Sequence, residues 1–85
     1  HYAVVISPSH AEYSSAQMLD AYEHYLADGG RGMYLGANGF YWVASRHPTK
    51  PWLIEVRKGE SGDQAWRARP GELFHGVTGE RGGLW

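Results

Sequence analysis

A chain of 85 residues is one domain at most, and it buries only about 60–65% of the surface that its unfolded form exposes, so we expect a thin core. Its 8 basic and 9 acidic residues are spread along the chain and give a net charge of -1, which leaves no basic stripe for nucleic-acid phosphates. No apolar run approaches the roughly 20 residues that span a bilayer. Without cysteine, disulfides, thiolate metal sites and cysteine nucleophiles are excluded. We expect a cytoplasmic protein with no nucleic-acid or membrane partner.

The two ends of the sequence lack a polar fringe. The chain starts at His1, enters an apolar run almost at once, and finishes on Trp85. These features predict that residues 1–85 form a single partial domain, an internal fragment of a larger subunit. Isolated from that subunit, the fragment is expected to be marginally stable and to expose apolar edges.

The first predicted unit is a strand followed by a helix. Residues Tyr2 to Ile6 form a short β-branched run with little alternation, which is typical of a strand covered on both faces. From Ser14 to Asp28 the apolar residues follow helical spacing. The stripe that should pack against the sheet contains Met18, Leu19, Tyr22, Tyr25 and Leu26.

Both ends of this helix carry capping signals. Ser14 and Gln17 have the spacing of a capping box, and Gly29-Gly30 can supply the left-handed residue that ends a helix. Met33 to Leu35 reads as the next strand, and a strand, helix, strand unit of this length predicts parallel pairing with the first strand. The expected fold class is α/β.

The remainder predicts irregular β-rich segments. After the loop-forming stretch SRHPTKP, Trp52 to Val56 alternates around Glu55 as a third strand. Residues Asp63 to Trp85 are rich in Gly, Arg and aromatics and have no clear period.

Two loops follow the first two predicted strands. The stretches SPSHAEY and GANGFYW begin where those strands end, and ligands of open α/β sheets bind at the carboxyl ends of parallel strands. Gly36 and Gly39 permit positive φ or close backbone approach, and Asn38 tolerates a left-handed conformation. We therefore expect the two loops to be neighbours around a pocket.

Three motifs in this order carry a family resemblance: HAEY, GGRGMYLGANGFYW and TGERGGLW. Together they resemble the C-terminal region of the large subunit of the N,N-dimethylformamidase family, in which the first motif is commonly HPEY. The resemblance covers essentially the whole chain.

The resemblance implies a layered domain similar to the glutamine-amidotransferase-like (flavodoxin-like) fold. It also implies hydrolysis of an N-substituted formamide to formate and an amine, with a mononuclear ferric iron held by tyrosine and glutamate oxygens. The implied partners are the amide substrate, the remainder of the large subunit and, in addition, a small subunit and further copies in a homo-oligomer. Phenolate and carboxylate oxygens suit a hard ferric ion, which can polarise an amide carbonyl and activate water without a covalent nucleophile.

Each candidate in the first loop has two interpretations. Tyr13 is a predicted metal ligand, or else the hydrophobic staple of the following helix or a wall of the pocket. His10 is a predicted proton shuttle, or a surface histidine. Glu12 could orient a catalytic neighbour, or it could favour the helix N-terminus electrostatically.

The second loop supplies a further phenol. Tyr41 is predicted as a metal ligand, with Phe40 and Trp42 as walls of the substrate pocket, although at least one of three adjacent aromatics should be core. Asn38 could hydrogen-bond the substrate carbonyl, or it could simply form the turn.

Candidates also occur near the end of the chain. Glu80, in the glycine-rich stretch TGERGG, is the carboxylate predicted for the metal, with a solvated loop residue as the alternative. His75 is a weaker candidate for the pocket.

Two other functions compete with the hydrolase. A serine-type amidohydrolase would need an exposed nucleophile, but Ser7 and Ser9 lack the GxSxG elbow. A non-catalytic small-molecule or sugar-binding domain is compatible with the 14% of aromatic residues. Iron would discriminate between them, because an iron-phenolate site is coloured and a binding module is not.

Overall fold

A computed structural model describes residues 2–59, 69 and 72–83, and every structural statement below concerns these residues. The described part contains one helix and five short strands. In chain order they are β1 (Val5–Pro8), β2 (Tyr13–Ser14), α1 (Ala16–Ala27), β3 (Gly32–Leu35), β4 (Trp42–Arg46) and β5 (Ile54–Val56).

The strand, helix, strand unit is present. β1 and β3 pair in parallel, with Val5 opposite Gly32 and Pro8 opposite Leu35, which confirms the predicted pairing. The first strand begins at Val5 rather than Tyr2 and extends to Pro8. Because Pro8 is the last residue of the ladder, its missing N–H does not interrupt the hydrogen bonds between β1 and β3.

The helix begins one residue later than its sequence signals indicate. Ser15 is the N-cap, with its side-chain oxygen accepting from the Met18 N–H at 3.3 Å. The predicted capping box at Ser14 is therefore wrong. Ser14 is buried and extended because it pairs with Val43 in a strand ladder that local spacing could not reveal.

The predicted glycine ending of the helix is confirmed. Gly29 has φ +84°, in the left-handed region, and its N–H donates to the Leu26 carbonyl at 3.0 Å. The Gly30 N–H donates to the Tyr25 carbonyl at 2.8 Å. These bonds satisfy carbonyls that the last helical turn would otherwise leave unpaired.

Only part of the predicted apolar stripe is covered. Leu19 is fully buried and Tyr22 and Tyr25 are half-buried, but Met18 and Leu26 remain about half exposed, at 51% and 50%. A groove of about 200 Å³ lies between the helix and the β1–β3 pair, lined among others by Tyr22, Tyr25 and Met33. Two strands are too narrow to cover the whole stripe.

A second sheet has the order β2-β4-β5. β2 runs parallel to β4, a pairing that was not predicted, and β4 and β5 form an antiparallel hairpin joined by residues 47–53. The predicted third strand is confirmed but begins at Ile54, not Trp52. Ser45 and Arg46, assigned to the connecting loop from sequence, belong to β4.

A short hairpin of residues 73–82, called the terminal hairpin, packs against this sheet. Phe74 and Arg81 form an antiparallel bridge, and the Val43 N–H donates to the Gly82 carbonyl at 3.3 Å. Among the described residues the buried apolar side chains are few, namely Leu19, Trp42 and Val43, as a thin core predicts. The 12-residue α1 falls short of a membrane span, and no other helix is present in the described ranges. Of the stretch without a clear period, residues 63–68, 70–71 and 84–85 lie outside the description, as do residues 60–62 before it.

Candidate functional site

Two loops meet at the ends of the parallel strands. The loop after β1, residues 9–12, and the loop after β3, residues 36–41, are together called the loop pair. The Phe40 N–H donates to the Ala11 carbonyl at 2.8 Å, and the Trp42 N–H donates to the Glu12 carbonyl at 2.9 Å. The predicted proximity of the two loops is confirmed.

Their contact depends on Gly36. A Cβ atom at this position would lie 1.4 Å from the Ser9 carbonyl oxygen, a distance that no side chain can accommodate. The close approach anticipated from sequence is therefore the role of Gly36, since its φ is not in the left-handed region. Gly36 allows the two backbones to touch where the strands end.

The loop pair holds the left-handed non-glycine residues of the described chain. These are Ser9 (φ 60°), Asn38 (φ 49°) and Phe40 (φ 60°). For asparagine this conformation is common, whereas for serine and phenylalanine it costs free energy that the surrounding structure must supply. Such strain clusters at sites whose backbone must be held in one geometry.

The polar side chains of the loop pair have no protein partner in the described part of the chain. His10 and Asn38 are exposed, Glu12 is half-buried, and no hydrogen bond or ion pair engages any of these three side chains. The two touching loops thus carry an imidazole, a carboxylate and an amide without a protein partner among the described residues. Asn38 also forms the turn, so its two interpretations are compatible.

Tyr13 has a partner that its sequence position did not reveal. It lies in β2, two residues before the N-cap Ser15, so the hydrophobic-staple interpretation is wrong. The Nζ of Lys58 donates a hydrogen bond to the Tyr13 hydroxyl and lies 4.6 Å from the centre of its ring. No motif marks Lys58, because only the strand order β2-β4-β5 brings it across to Tyr13.

The three consecutive aromatics have three different environments. Phe40 packs against Tyr22 and Tyr34, with ring centres 5.5 and 5.6 Å apart, so it joins the helix to β3. Trp42 is buried, at 5% exposure. Tyr41 is 39% exposed, and its ring lies edge-on to that of Trp42. Of the three, Tyr41 is the one open to a ligand.

Glu80 and His75 lie in a second polar region, on the other face of β4. Thr78 Oγ1 donates to Glu80 Oε2 at 2.8 Å and also contacts Ser45 Oγ at 2.8 Å. Ser45 is three residues beyond Trp42 on the strand, about 10 Å along it and on the opposite face. We call this region the hairpin cluster; it contains Ser45, Glu55, His75, Thr78 and Glu80.

His75 is closed to ligands in this structure. It is 2% exposed, and neither ring nitrogen has a hydrogen-bond partner among the described residues. The nearest acceptor to Nδ1 is Glu80 Oε2, at 3.9 Å, which is beyond hydrogen-bond length. The structure brings neither His75 nor Glu80 into contact with Tyr13 or Tyr41.

The carboxylates of the hairpin cluster are stabilised as anions. The backbone N–H of Gly76, together with Arg57, holds the pKa of Glu55 below its usual range, with Gly76 the larger cause. The hydroxyls of Ser45 and Thr78 lower the pKa of Glu80. Both carboxylates therefore bond to the protein and serve to attach the terminal hairpin to β4 and β5.

The candidate metal ligands near the loop pair are side chains that carry oxygen atoms. No group of three or more His, Cys, Asp or Glu side chains that could hold a metal occurs within the described ranges. Around the loop pair the candidate oxygen donors are Glu12, Tyr41 and Asn38, and the Tyr13 oxygen already accepts from Lys58. Tyr13 and Glu80 lie on opposite faces of β4, since Tyr13 is opposite Trp42 in the ladder.

The parallel β1–β3 pair and the helix that connects its strands give the described residues an α/β arrangement, and the two touching loops form its candidate ligand site. The chain belongs to the family described as "N,N-dimethylformamidase beta subunit-like, C-terminal", whose model matches residues 1–85. This confirms the resemblance drawn from the three motifs.

Two curated relatives are similar over almost the whole chain. The "N,N-dimethylformamidase beta subunit" of Paracoccus aminophilus is 58% identical over 82 residues, and that of Alcaligenes sp is 57% identical over 82 residues. Each alignment covers 96% of this chain but 11% of the relative, so the chain spans about a tenth of the length of these proteins.

Proposed function

We propose that this chain contributes the loop pair to the active site of an amide hydrolase that converts N-substituted formamides, such as N,N-dimethylformamide, to formate and an amine. The observation that carries the proposal is the contact between two strained loops at the strand ends, which carry His10, Glu12 and Asn38 without side-chain partners among the described residues. The names of the relatives supply the reaction. Activity is expected only from the complete subunit.

The wider architecture belongs to the same proposal. We infer that the β1, α1, β3 unit is part of a larger glutamine-amidotransferase-like layered domain, since its sheet and helix leave apolar residues uncovered. Exposed Ile6, Met33 and Leu35 would then contact the rest of the large subunit. The word beta in the relatives' names indicates a multi-subunit enzyme, and we propose a second subunit and a cytoplasmic location.

A ferric ion fits the oxygen donors of the loop pair. Glu12 and Tyr41 offer a carboxylate without a protein partner and an exposed phenol, the hard ligands that ferric iron prefers. We therefore propose Glu12 rather than Glu80 as the carboxylate, because Glu80 already bonds to Thr78 on the other face of β4. When bound, the ion would supply Lewis acidity at the amide carbonyl.

The remaining polar groups have roles that follow from their chemistry. His10, exposed beside Glu12, can move protons between solvent and the reacting amide. The Asn38 side-chain amide can donate to the substrate carbonyl oxygen, and its left-handed backbone fixes where that donor is held. The strained loops keep both groups in place without rearrangement during the reaction.

The test uses the full-length subunit purified with its partner subunit. Iron per subunit, the visible charge-transfer band and formate release from N,N-dimethylformamide are measured for wild type and for His10→Ala and Asn38→Ala. We expect iron and hydrolysis in wild type, and at least about a 10-fold lower kcat in both variants with iron retained. Substrate binding without any formate release would instead support a small-molecule-binding domain.

A further inference from the structure

Lys58 reaches across the second sheet to Tyr13, the residue that directly follows the first loop of the loop pair. It follows β5, yet its ammonium contacts Tyr13 of β2 and lies 5.9 Å from the centre of the Trp42 ring on the intervening strand β4. Because β5 is antiparallel to β4, the end of β5 lies beside the start of β4, where residues 36–41 arrive. A positive charge is thus held beside the candidate site by two aromatic side chains, Tyr13 and Trp42.

The direction of this hydrogen bond determines what the Tyr13 hydroxyl can do. An ammonium group has three donors and no acceptor, so the Tyr13 oxygen must be the acceptor in the pair. The Tyr13 O–H must therefore donate elsewhere, and it has no acceptor within the described part of the chain. A cation bonded to the oxygen also makes the O–H a stronger donor, since consecutive hydrogen bonds polarise one another.

The same contact disfavours iron on this oxygen. A ferric ion bound to Tyr13 would lie within a few ångströms of the Lys58 ammonium, and two positive charges at that separation repel strongly. Tyr41, in contrast, is exposed and has no cationic partner in the described ranges. The two phenols that sequence analysis treated alike thus differ in their surroundings.

We propose that Tyr13 donates its O–H to the carbonyl oxygen of the amide substrate and that Lys58 is the positioning residue that orients it for this bond. The inference rests on the proposed function and assigns Tyr13 a role in substrate binding in place of metal binding. Lys58 acts through Tyr13. Its ammonium donates to the phenol oxygen and cannot accept a hydrogen bond, so the Tyr13 O–H remains free to donate to the substrate.

The decisive experiment is a double-mutant cycle in the full-length enzyme. Tyr13→Phe removes the donor, Lys58→Met removes the positioning charge, and both side chains are exposed, so the fold should survive. We expect each variant to lower kcat/KM for N,N-dimethylformamide about 10- to 100-fold with iron content unchanged. The double variant should be no worse than Tyr13→Phe alone, because Lys58 has nothing to position without the hydroxyl.

Three further variants separate positioning from general structural damage. Lys58→Arg keeps donors without an acceptor and should recover most of the activity that Lys58→Met loses. Lys50→Met, in the exposed connection between β4 and β5, is the matched charge control. Tyr2→Phe, at 81% exposure, is the matched hydroxyl control, and both controls should leave kcat/KM within 2-fold (roughly the limit for surface changes) of wild type.

The outcomes that overturn the proposal are distinct. Loss of iron in Tyr13→Phe would make Tyr13 a metal ligand, and multiplicative losses in the double variant would show that Lys58 acts independently of Tyr13. Unchanged kcat/KM in Tyr13→Phe would leave the hydroxyl without a role. A wild-type enzyme that hydrolyses no formamide would overturn the proposed function together with this role, whereas the first three results would leave hydrolysis intact.

Discussion

The loop pair, at the start of β4, and the hairpin cluster, around Ser45 near the end of β4, treat their polar groups in opposite ways. In the loop pair, His10, Glu12 and Asn38 have no partner among the described residues, and the backbone is strained at Ser9 and Phe40. In the hairpin cluster, Glu55 accepts hydrogen bonds from the Gly76 N–H and from Arg57, and Glu80 accepts one from Thr78.

This difference distinguishes a candidate site from a structural attachment. Polar groups that bond to the protein contribute to stability, whereas the strained backbone of the loop pair costs stability and its polar side chains without a protein partner are open to a ligand. Glu12 and Glu80 have the same side chain, and only their surroundings distinguish their roles. The comparison leads to four predictions, ordered by the size of the expected effect.

The largest effect is expected at the contact between the two loops. In the full-length subunit, Gly36→Ala should lower the free energy of unfolding by about 3 kcal/mol, because its Cβ collides with the Ser9 carbonyl. Gly79→Ala, in the terminal hairpin, meets open space and should lower it by only about 1 kcal/mol through its positive φ. Calorimetric unfolding checks both, and equal losses would mean that the loops do not touch as described.

Replacing a glutamate by glutamine should have different effects on iron binding in the loop pair and in the hairpin cluster. Glu12→Gln is expected to lose iron and to lower kcat/KM at least about 100-fold, since even residues that only support metal ligands are worth 10- to 100-fold. Glu80→Gln should retain iron, because its carboxylate bonds to Thr78. Iron content and formate release are measured for both variants. Loss of iron in Glu80→Gln with iron retained in Glu12→Gln would identify Glu80 as the metal ligand, as predicted from sequence.

Asn38 permits a smaller test that distinguishes its backbone from its side chain. Asn38→Gly keeps the left-handed conformation and should leave stability nearly unchanged, whereas Asn38→Ala should lower the free energy of unfolding by about 1 kcal/mol. If the amide binds substrate, both variants lower kcat/KM, by about 10-fold. Full activity in Asn38→Gly would reduce Asn38 to a turn residue.

The smallest effect concerns acid. Glu55 and Glu80 have pKa values lowered in the folded state from an ordinary value of 4.5, so their contribution to stability is present above that pH and is lost as pH falls through the folded-state pKa values. The protection of the Gly76 N–H against hydrogen exchange, corrected for the intrinsic rate at each pH and followed from pH 7 to 3 in the full-length subunit, should therefore decrease below about pH 4.5. Glu55→Gln should flatten this dependence, and an unchanged profile in that variant would argue against the attachment.

How far the fold could be predicted depends on how local its causes are. The period of the apolar residues, the paired glycines and the β-branched run predicted α1, its glycine ending and the parallel β1–β3 pairing, all of which are confirmed. The N-cap was misplaced by one residue because Ser14 and Ser15 are chemically equivalent locally, and only the ladder between Ser14 and Val43 decides between them.

The candidate site divides in the same way. The sequence by itself determined the family, through three ordered motifs, and the meeting of HAEY with GANGFYW, because strand ends and glycines are local features that imply which loops converge. Only the tertiary structure decided that Lys58 bonds to Tyr13, that Phe40 packs under the helix, and that Glu80 lies across β4 from Trp42. These partners are distant in the chain, and strand order and side-chain alternation, which set the face and neighbour of each residue, emerge only when the whole sheet forms.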